Sequence, residues 1–468
     1  MTVIPNEEAR PSVEGFDQAL TELGEALGSA LVLDRDVIAA HSHDQAPFCV
    51  HGTAAALVRA RSRDDVVAVM RIAHERRVPV VVQGTRTGAS GAANASDGCI
   101  LLSLERMNRI LEIDPVERIA VVEPGVVNIN LSRAVAEHGL FYPPDPGSWE
   151  ISSIGGNVAT NAGGMCCVKY GVTADYVRGL EFVLPGGAVH RSGRRTRKGV
   201  AGYDLTRLLV GSEGTLAAVT EVVVSLIPAP GPQLTAIGVF DDLTSAARAV
   251  GRIVSGGPAP AMLELIDHPS IVAVNDYANV GLPDAAAILL VQTDAGRHAH
   301  EDLDAFAAAF AAEDAIDTII AEDEAESKLL VEARRLLGPA MMARGTLLLE
   351  DVCVPVRLLP QLVEGVAEIG RRHGVVTVCP GHAGDGNLHP TVLFDAADES
   401  QVAAAKAAFD DIMALGLSLG GTITGEHGVG ILKREWLHTE LGTEHLELQR
   451  AVKRVFDPHG ILNPGKVF

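Results

Sequence analysis

Between Ile154 and Gly164 the chain runs IGGNVATNAGG, eleven residues of which almost none is larger than threonine. A segment meant only for packing would carry bulkier side chains to bury. Such a run lets backbone press against a flat, rigid ligand; a cluster of turns is the plainer alternative. An earlier stretch, Gly84-Thr85-Arg86-Thr87-Gly88-Ala89-Ser90-Gly91, supplies closely spaced backbone N–H groups that can approach an anion such as a pyrophosphate. It lies between the β-branched run VPVVVQ (78–83) and CILLSL (99–104). The simplest arrangement is two strands joined by a long loop, and the bland version of that loop is a flexible hairpin. It is no Walker A loop, which needs Gly-Lys-Ser/Thr. Nor is it a Rossmann fingerprint, because the spacing differs and a strand follows where a helix should.

Composition narrows what such loops can serve. The 468 residues carry a formal charge of −22 and only 4% aromatics, which argues against a nucleic-acid partner or an anionic membrane surface. At roughly 150 residues per domain the length allows two to four domains, with ample chain for a large core. No apolar run approaches the roughly 20 residues of a membrane span. The N-terminal MTVIPNEEARPSVEG is acidic and polar and does not read as a secretory signal, so the cytoplasm is the expected compartment. Cys166 and Cys167 are adjacent, without a CxxC partner, and neither a disulfide framework nor an iron–sulfur spacing emerges.

Hydrophobic spacing gives the organisation. Residues 15–76 read as helical, most clearly DVVAVMRIAHERR (65–77), where apolar positions recur at three and four. IAVVEPGV (119–126) and LEFVLPGG (180–187) read as strands, LLVGSEGTL (208–216) and AVTEVVVSLIPAPGP (218–232) follow, and IPAPGP (227–232) is the best domain boundary. Beyond it, strand runs alternate with helical patterns between 234 and 293, and 301–314 and 322–337 carry strong helix signals, the latter acidic in its first turn. VVTVC (375–379) and HPTVLF (389–394) read as strands, and 402–419 as an Ala-rich helix. The resulting fold class is α+β, with domains at 1–230 and 231–410 and a C-terminal helical segment at 411–468.

A second chemical signal is His382-Ala383-Gly384-Asp385-Gly386-Asn387-Leu388-His389. A two-residue turn centred on Asp385-Gly386 would pair His382 directly with His389, on one face, with Cβ atoms about 5 Å apart. Two imidazoles so placed can share a divalent ion; a pair of backbone-bonded structural histidines is the alternative. The loop Gly420–Gly430 offers Glu426 and His427 between glycines, either as further site residues or as a charged surface tip.

Together with YPPDPGSWEISSIGG (142–156), YGVTADYVRGLEFVLPGG (170–187), GYDLTRLLVGSEGTL (202–216) and FDPHGILNPGK (456–466), these segments resemble the FAD-linked oxidases of the vanillyl-alcohol-oxidase superfamily. The similar branch is that of the D-2-hydroxyacid dehydrogenases. The resemblance implies an FAD domain of two subdomains, a substrate domain of sheet and helices, and a C-terminal segment closing the flavin site. It assigns the pyrophosphate to Thr85, Arg86, Thr87, Gly88, Ser90 and Gly91 with Gly155, Gly156, Thr160, Asn161 and Gly164. Glu213, Gly214 and Asn463 would lie near the adenine or flavin. The FAD is expected to be noncovalent. The metal would be held by His382, His389 and Glu426: zinc first, with manganese or iron as alternatives. His427 would act at the substrate, and Arg334 would hold its carboxylate.

These roles compose a mechanism in which a 2-hydroxy acid chelates the ion, His427 takes the hydroxyl proton, and the C2 hydride passes to flavin. In the family it resembles, members acting on D-2-hydroxyglutarate tend to carry an extra polar group just beyond the second metal histidine and a basic residue in the segment matching LLLEDVCVP (347–355). With Pro390-Thr391 after His389 and no basic residue at 347–355, the resemblance implies a lactate- or glycolate-like acid over D-2-hydroxyglutarate. A separate acceptor (an electron-transfer protein, a quinone or a partner subunit) would take the electrons, and the chain could form a homodimer. The competing functions are a metal-dependent hydrolase, which leaves both glycine segments unexplained, and a noncatalytic electron-transfer flavoprotein subunit.

Overall fold

A computed structural model describes residues 13–46 and 49–468, so most of the polar N-terminal stretch lies outside the described residues. The chain forms two units. The first joins the described part of residues 1–162 to Val172–Ala229 and Glu426–Phe468; the second comprises Gly163–Gly171 and Pro230–Gly425.

In the first unit, one sheet has the strand order Leu31–Val32, Ala56–Arg59, Ile100–Ser103, Val80–Gln83. The helices Val13–Leu27 and Arg63–Arg76 supply its cover. Ser62 caps the second of these helices by accepting from Asp65 N, Asp64 and Asp65 face the positive end of its dipole, and Arg77 ends it in a left-handed conformation. Its inner face, Val66, Val69, Met70, Ile72 and Ala73, is buried. Each large side chain there contributes roughly 1.5–3 kcal/mol. The stretch 15–76, expected to be helical, is instead two helices separated by the strand Leu31–Val32, a short helix, Arg35–Ala39, and the strand Ala56–Arg59. The run ALVR is too short and too fully buried to continue a helical stripe.

The expected hairpin at 78–104 is also different. Val80–Gln83 and Ile100–Ser103 are parallel neighbours. Parallel strands need a crossover of about a dozen residues or more, and the stretch 84–99 provides it without a helix. The other glycine segment is not a loop throughout: Ile154–Thr160 is a short helix. Ser153 Oγ caps it by accepting from Gly156 N, and Asn161 ends it at φ +53°. A five-stranded antiparallel sheet, built on Ala218–Ser225 and Val177–Val183, completes the unit. The returning C-terminal segment enters the first sheet's core through Ile461 and Leu462, and Leu462 bridges Val80.

The second unit is organised on a seven-stranded antiparallel sheet containing Leu234–Phe240, Ala287–Thr293, Met262–Asp267, Gly381–His382, Asn387–Leu388 and Val352–Cys353. Its core gathers strand residues such as Ile237, Ile266 and Leu290 with Ala333, Leu337 and Met341 from two helices. The expected boundary at 410 falls inside the helix Glu399–Ser418. That helix buries one face continuously from Ala405 to Gly416, so the second unit runs on to Gly425.

Candidate active site

The strand Met262–Asp267 is apolar except for Glu264 and the terminal Asp267. Its antiparallel register with Gly381 (opposite Leu265) puts Glu264 directly across from His382. Opposed residues share a face, and Glu264 Oε1 lies 2.7 Å from His382 Nδ1. The other carboxylate oxygen, Oε2, accepts from Arg334 Nε and Nη2, both at 2.8 Å. Glu264 is fully buried. Burial would raise its carboxyl pKa, but the charges of His382 and Arg334 and the histidine hydrogen bond together hold it below the usual range.

The hairpin register differs from the expected one. Residues Ala383–Asp385 form a short 3-10 turn followed by Gly386 at φ +80°, so His382 pairs with Asn387, not with His389. His389 is two residues beyond Asn387, the diagonal neighbour on the same face. The imidazoles still meet, with ring centroids 5.0 Å apart at 88°.

The next strand extends the pattern. Cys353 pairs with Asn387, which places Asp351 opposite His389, at 3.7 Å from Oδ1 to Nδ1. Thr424 Oγ1 donates to Asp351 Oδ2 at 2.7 Å and Gly425 N to Asp351 O at 3.1 Å. A Cβ on Gly425 would come within 2.5 Å of the Asn387 side chain, so glycine lets the two segments close. Asn387 Oδ1 is buried without a hydrogen-bond partner among the described residues.

Two neighbouring imidazoles, one fixed through its Nδ1 by a buried carboxylate, form a donor set that suits a divalent ion: the carboxylate sets the tautomer and leaves Nε2 to ligate. Glu426 and His427 are next in the chain after Gly425 and belong to the first unit, with Glu426 Oε1 3.9 Å from His427 Nε2.

In the first unit the glycine segments come together. Ser153 N donates to Thr85 Oγ1 at 3.2 Å. A Cβ on Gly84 would lie 2.4 Å from Ser153 Oγ. Arg86 sits at φ +58°, and its guanidinium is held by Glu105 at 2.6 Å, leaving backbone as what it offers an anion. Thr87 and Gly88 follow in the same loop, where Gly88 O accepts from Gln45 N. Gly91 turns the chain at φ +79°, and Ser90 O accepts from Ile431 N and Leu432 N. Thr160 Oγ1 donates to Gly156 O, and Asn161 Oδ1 accepts from Ala174 N. Gly164 falls in the short stretch assigned to the second unit.

Glu213, Gly214 and Asn463 do gather: Asn463 Nδ2 donates to Glu213 O at 2.6 Å, and a Cβ on Gly214 would come within 3.0 Å of that nitrogen. Burial pushes the Glu213 carboxyl up to about 7, against the opposing effect of two backbone N–H bonds and the charges of Lys433 and Lys466. Burial likewise lowers Lys466 to about 8. Ser90 Oγ, Asn157 Nδ2 and Asn463 Oδ1 are buried without hydrogen-bond partners among the described residues. The segments therefore retain polar capacity for a bound group, as a cofactor cradle would.

Gly155 shows how tightly this region is built. A Cβ there would lie 2.5 Å from Pro124 Cβ and 2.8 Å from its carbonyl oxygen. Gly155→Ala is expected to destabilise the protein by about 1–3 kcal/mol through overpacking. A thermal melt of the two proteins checks this, and an unchanged midpoint would show that Pro124 yields.

Sequence reading missed Glu264, Asp351 and the inward role of Asn387. The acid Glu264 in the middle of the otherwise apolar stretch MLEL (262–265) is a signal, since an uncompensated carboxylate at that position is costly.

The two sheet-bearing units correspond closely to two family matches. The FAD binding domain family matches residues 54–193, and the family of FAD linked oxidases, C-terminal domain, matches residues 230–467. The chain belongs to the FAD-linked oxidases. It is 42% identical to the glycolate oxidase subunit GlcD of Bacillus subtilis over 416 residues, 88% of each chain. It is 34% identical to a D-lactate dehydrogenase of Anaerostipes hadrus over 437 residues, 91% of this chain and 92% of that one. In fold it is similar to p-cresol methylhydroxylase, with a TM-score of 0.81 at 18% identity, covering 98% of this chain and 97% of the other. Among the described residues no helix is long and apolar enough to cross a membrane.

Proposed function

We propose that the chain oxidises a D-2-hydroxy acid to the 2-oxo acid, using FAD and one divalent ion held by His382, His389 and Glu426. The observation that carries this reading is the pair of imidazoles at 5.0 Å, one of them fixed by the buried Glu264. Two histidines and one carboxylate leave coordination positions for a chelating hydroxyl and carboxylate. FAD when bound supplies the acceptor for the C2 hydride, and the ion supplies Lewis acidity at the substrate oxygens.

The chain's own residues do the rest. His427 takes the proton from the substrate hydroxyl, so that the alcohol loses one proton and one hydride and no further reactant is needed at this step. Arg334 gives its Nε and Nη2 to Glu264, and its remaining N–H groups hold the substrate carboxylate. Thr85, Arg86, Thr87, Gly88, Ser90 and Gly91, with Gly155, Gly156, Thr160, Asn161 and Gly164, cradle the FAD pyrophosphate. Gly214 and Asn463 lie toward its rings.

The names of the relatives, glycolate oxidase subunit and D-lactate dehydrogenase, support a small monocarboxylic acid as substrate. The word subunit in the first supports an electron acceptor on a separate protein.

The test is an anaerobic visible spectrum of the FAD-loaded protein, titrated with D-lactate, glycolate and D-2-hydroxyglutarate. One of the first two is expected to bleach the flavin band. A chelator should abolish the bleaching, and added zinc or manganese should restore it. Bleaching that survives complete metal removal rejects the metal's role, and a flavin that no acid reduces rejects the reaction and favours a noncatalytic electron-transfer subunit.

A further inference from the structure

We propose that Glu213 is a positioning residue for His427, fastening the loop that carries it, and not a contact to FAD. The proposal rests on the reading of His427 as the base. Its geometry lies wholly within the first unit. Glu213 Oε1 accepts from Val429 N and Oε2 from Gly430 N, each at 2.8 Å. Each carboxylate oxygen thus serves one backbone donor, and the two donors are consecutive.

The loop is shaped for this. Gly428 has φ +84° and Gly430 φ +50°, conformations that bend the chain so that successive N–H groups converge in an anion-binding nest. In many proteins such a nest takes a phosphate; here the chain's own carboxylate fills it. A Cβ on Gly428 would lie 3.0 Å from Glu213 Cδ, so the acid sits directly against the loop.

Glu213 is itself held from two sides. Its N–H donates to Ala159 O in the helix Ile154–Thr160, at 2.8 Å, and its carbonyl accepts from Asn463 Nδ2 at 2.6 Å. Its φ of +49° is uncommon for a residue with a side chain, and these two bonds fix it there. Just beyond the nest, Ile431 N and Leu432 N donate to Ser90 O of the first glycine segment. Residues 429–432 are therefore tied to both glycine segments, one of the ties running through Glu213. His427 is the second residue before this fixed stretch, and inherits its placement from it.

Glutamine tests the arrangement because it keeps the shape but has a single acceptor atom, so its amide would face one of the two N–H donors. Three proteins are compared: Glu213→Gln, His427→Ala and the double variant, each reduced anaerobically by D-lactate and by glycolate. Glu213→Gln is expected to keep its FAD-to-protein ratio and to reduce flavin at least about tenfold more slowly at saturating substrate. Its half-saturating concentration should stay within about twofold, and hydrogen exchange across 427–432 should quicken about tenfold. In the His427→Ala background the same change should add less than about a twofold further loss, because both act through one residue.

Loss of FAD from Glu213→Gln, or normal exchange with a normal rate, overturns the proposal. Normal reduction by His427→Ala, or no reduction of the parent protein, overturns the function reading and the positioning role with it. Amide exchange still reports separately whether the clamp exists. Should the glutamine variant fail to fold, Gly428→Ala strains the same clamp from the loop side and carries the same expectations.

Discussion

Glu264→Ala is expected to weaken divalent-ion binding by about 10- to 100-fold, and to destabilise the protein by about 3–5 kcal/mol. The two losses have one origin. Glu264 is fully buried, and each of its oxygens is committed, Oε1 to His382 and Oε2 to Arg334. Alanine leaves a guanidinium that is 12% exposed without its counter-charge, and leaves His382 free to rotate or change tautomer. The stability term should persist in metal-free protein, whereas the affinity term appears only in a metal titration. Chemical denaturation of the metal-free protein and competition with a chromogenic chelator separate them. Glu264→Gln should fall between, because its one acceptor can serve the arginine or the histidine. If the alanine variant binds zinc as the parent does, Glu264 is an ion-pair partner of Arg334 with no bearing on a metal.

His427→Ala is expected to slow flavin reduction by D-lactate or glycolate by about 100- to 10,000-fold, the usual contribution of a positioned general base. FAD content should not change, because the proposed cradle is made of other residues. The imidazole is 17% exposed and lies outside the fully buried cores. Truncating it should therefore disturb little packing, and its effect reads as chemistry. Added imidazole distinguishes a base from a binding contact: it should restore part of the rate lost in the variant, and a variant that imidazole does not rescue would show that another group takes the proton.

The glycine segments and the paired histidines stand out in the sequence because their residue choice is poorly explained by packing. A run such as IGGNVATNAGG, or two histidines flanking a turn, has few structural uses. The connectivity around them was less legible, for physical reasons that differ case by case. Val80–Gln83 and Ile100–Ser103 read correctly as strands, but nothing local distinguishes a hairpin from a parallel crossover, since that choice is made by the partner strand Ala56–Arg59. The helix Ile154–Thr160 was hidden because Gly155, Gly156 and Thr160 are poor helix formers; its Ser153 cap and tertiary packing override that preference. The hairpin register missed because Asp385-Gly386 resembles a two-residue turn, while the chain uses four residues, 383–386. Period-two alternation rescued the inference: the diagonal neighbour still shares the face. Glu264 could be seen as anomalous in its strand, but its partners lie about seventy and more than a hundred residues further along the chain, beyond the reach of any local pattern.

The route of the chain sets an order of manufacture. The second unit is almost wholly encoded between Pro230 and Gly425, so it leaves the ribosome nearly complete while the first still lacks Glu426–Phe468. Ile461 and Leu462, the last large apolar side chains of the first sheet's core in chain order, are made after the whole of the second unit. Until then that core has a gap along Val80, and Glu213 has no loop to hold. The first unit is thus begun before the second and closed after it, and a nascent chain stalled before residue 461 would carry an assembled second unit and an open first one.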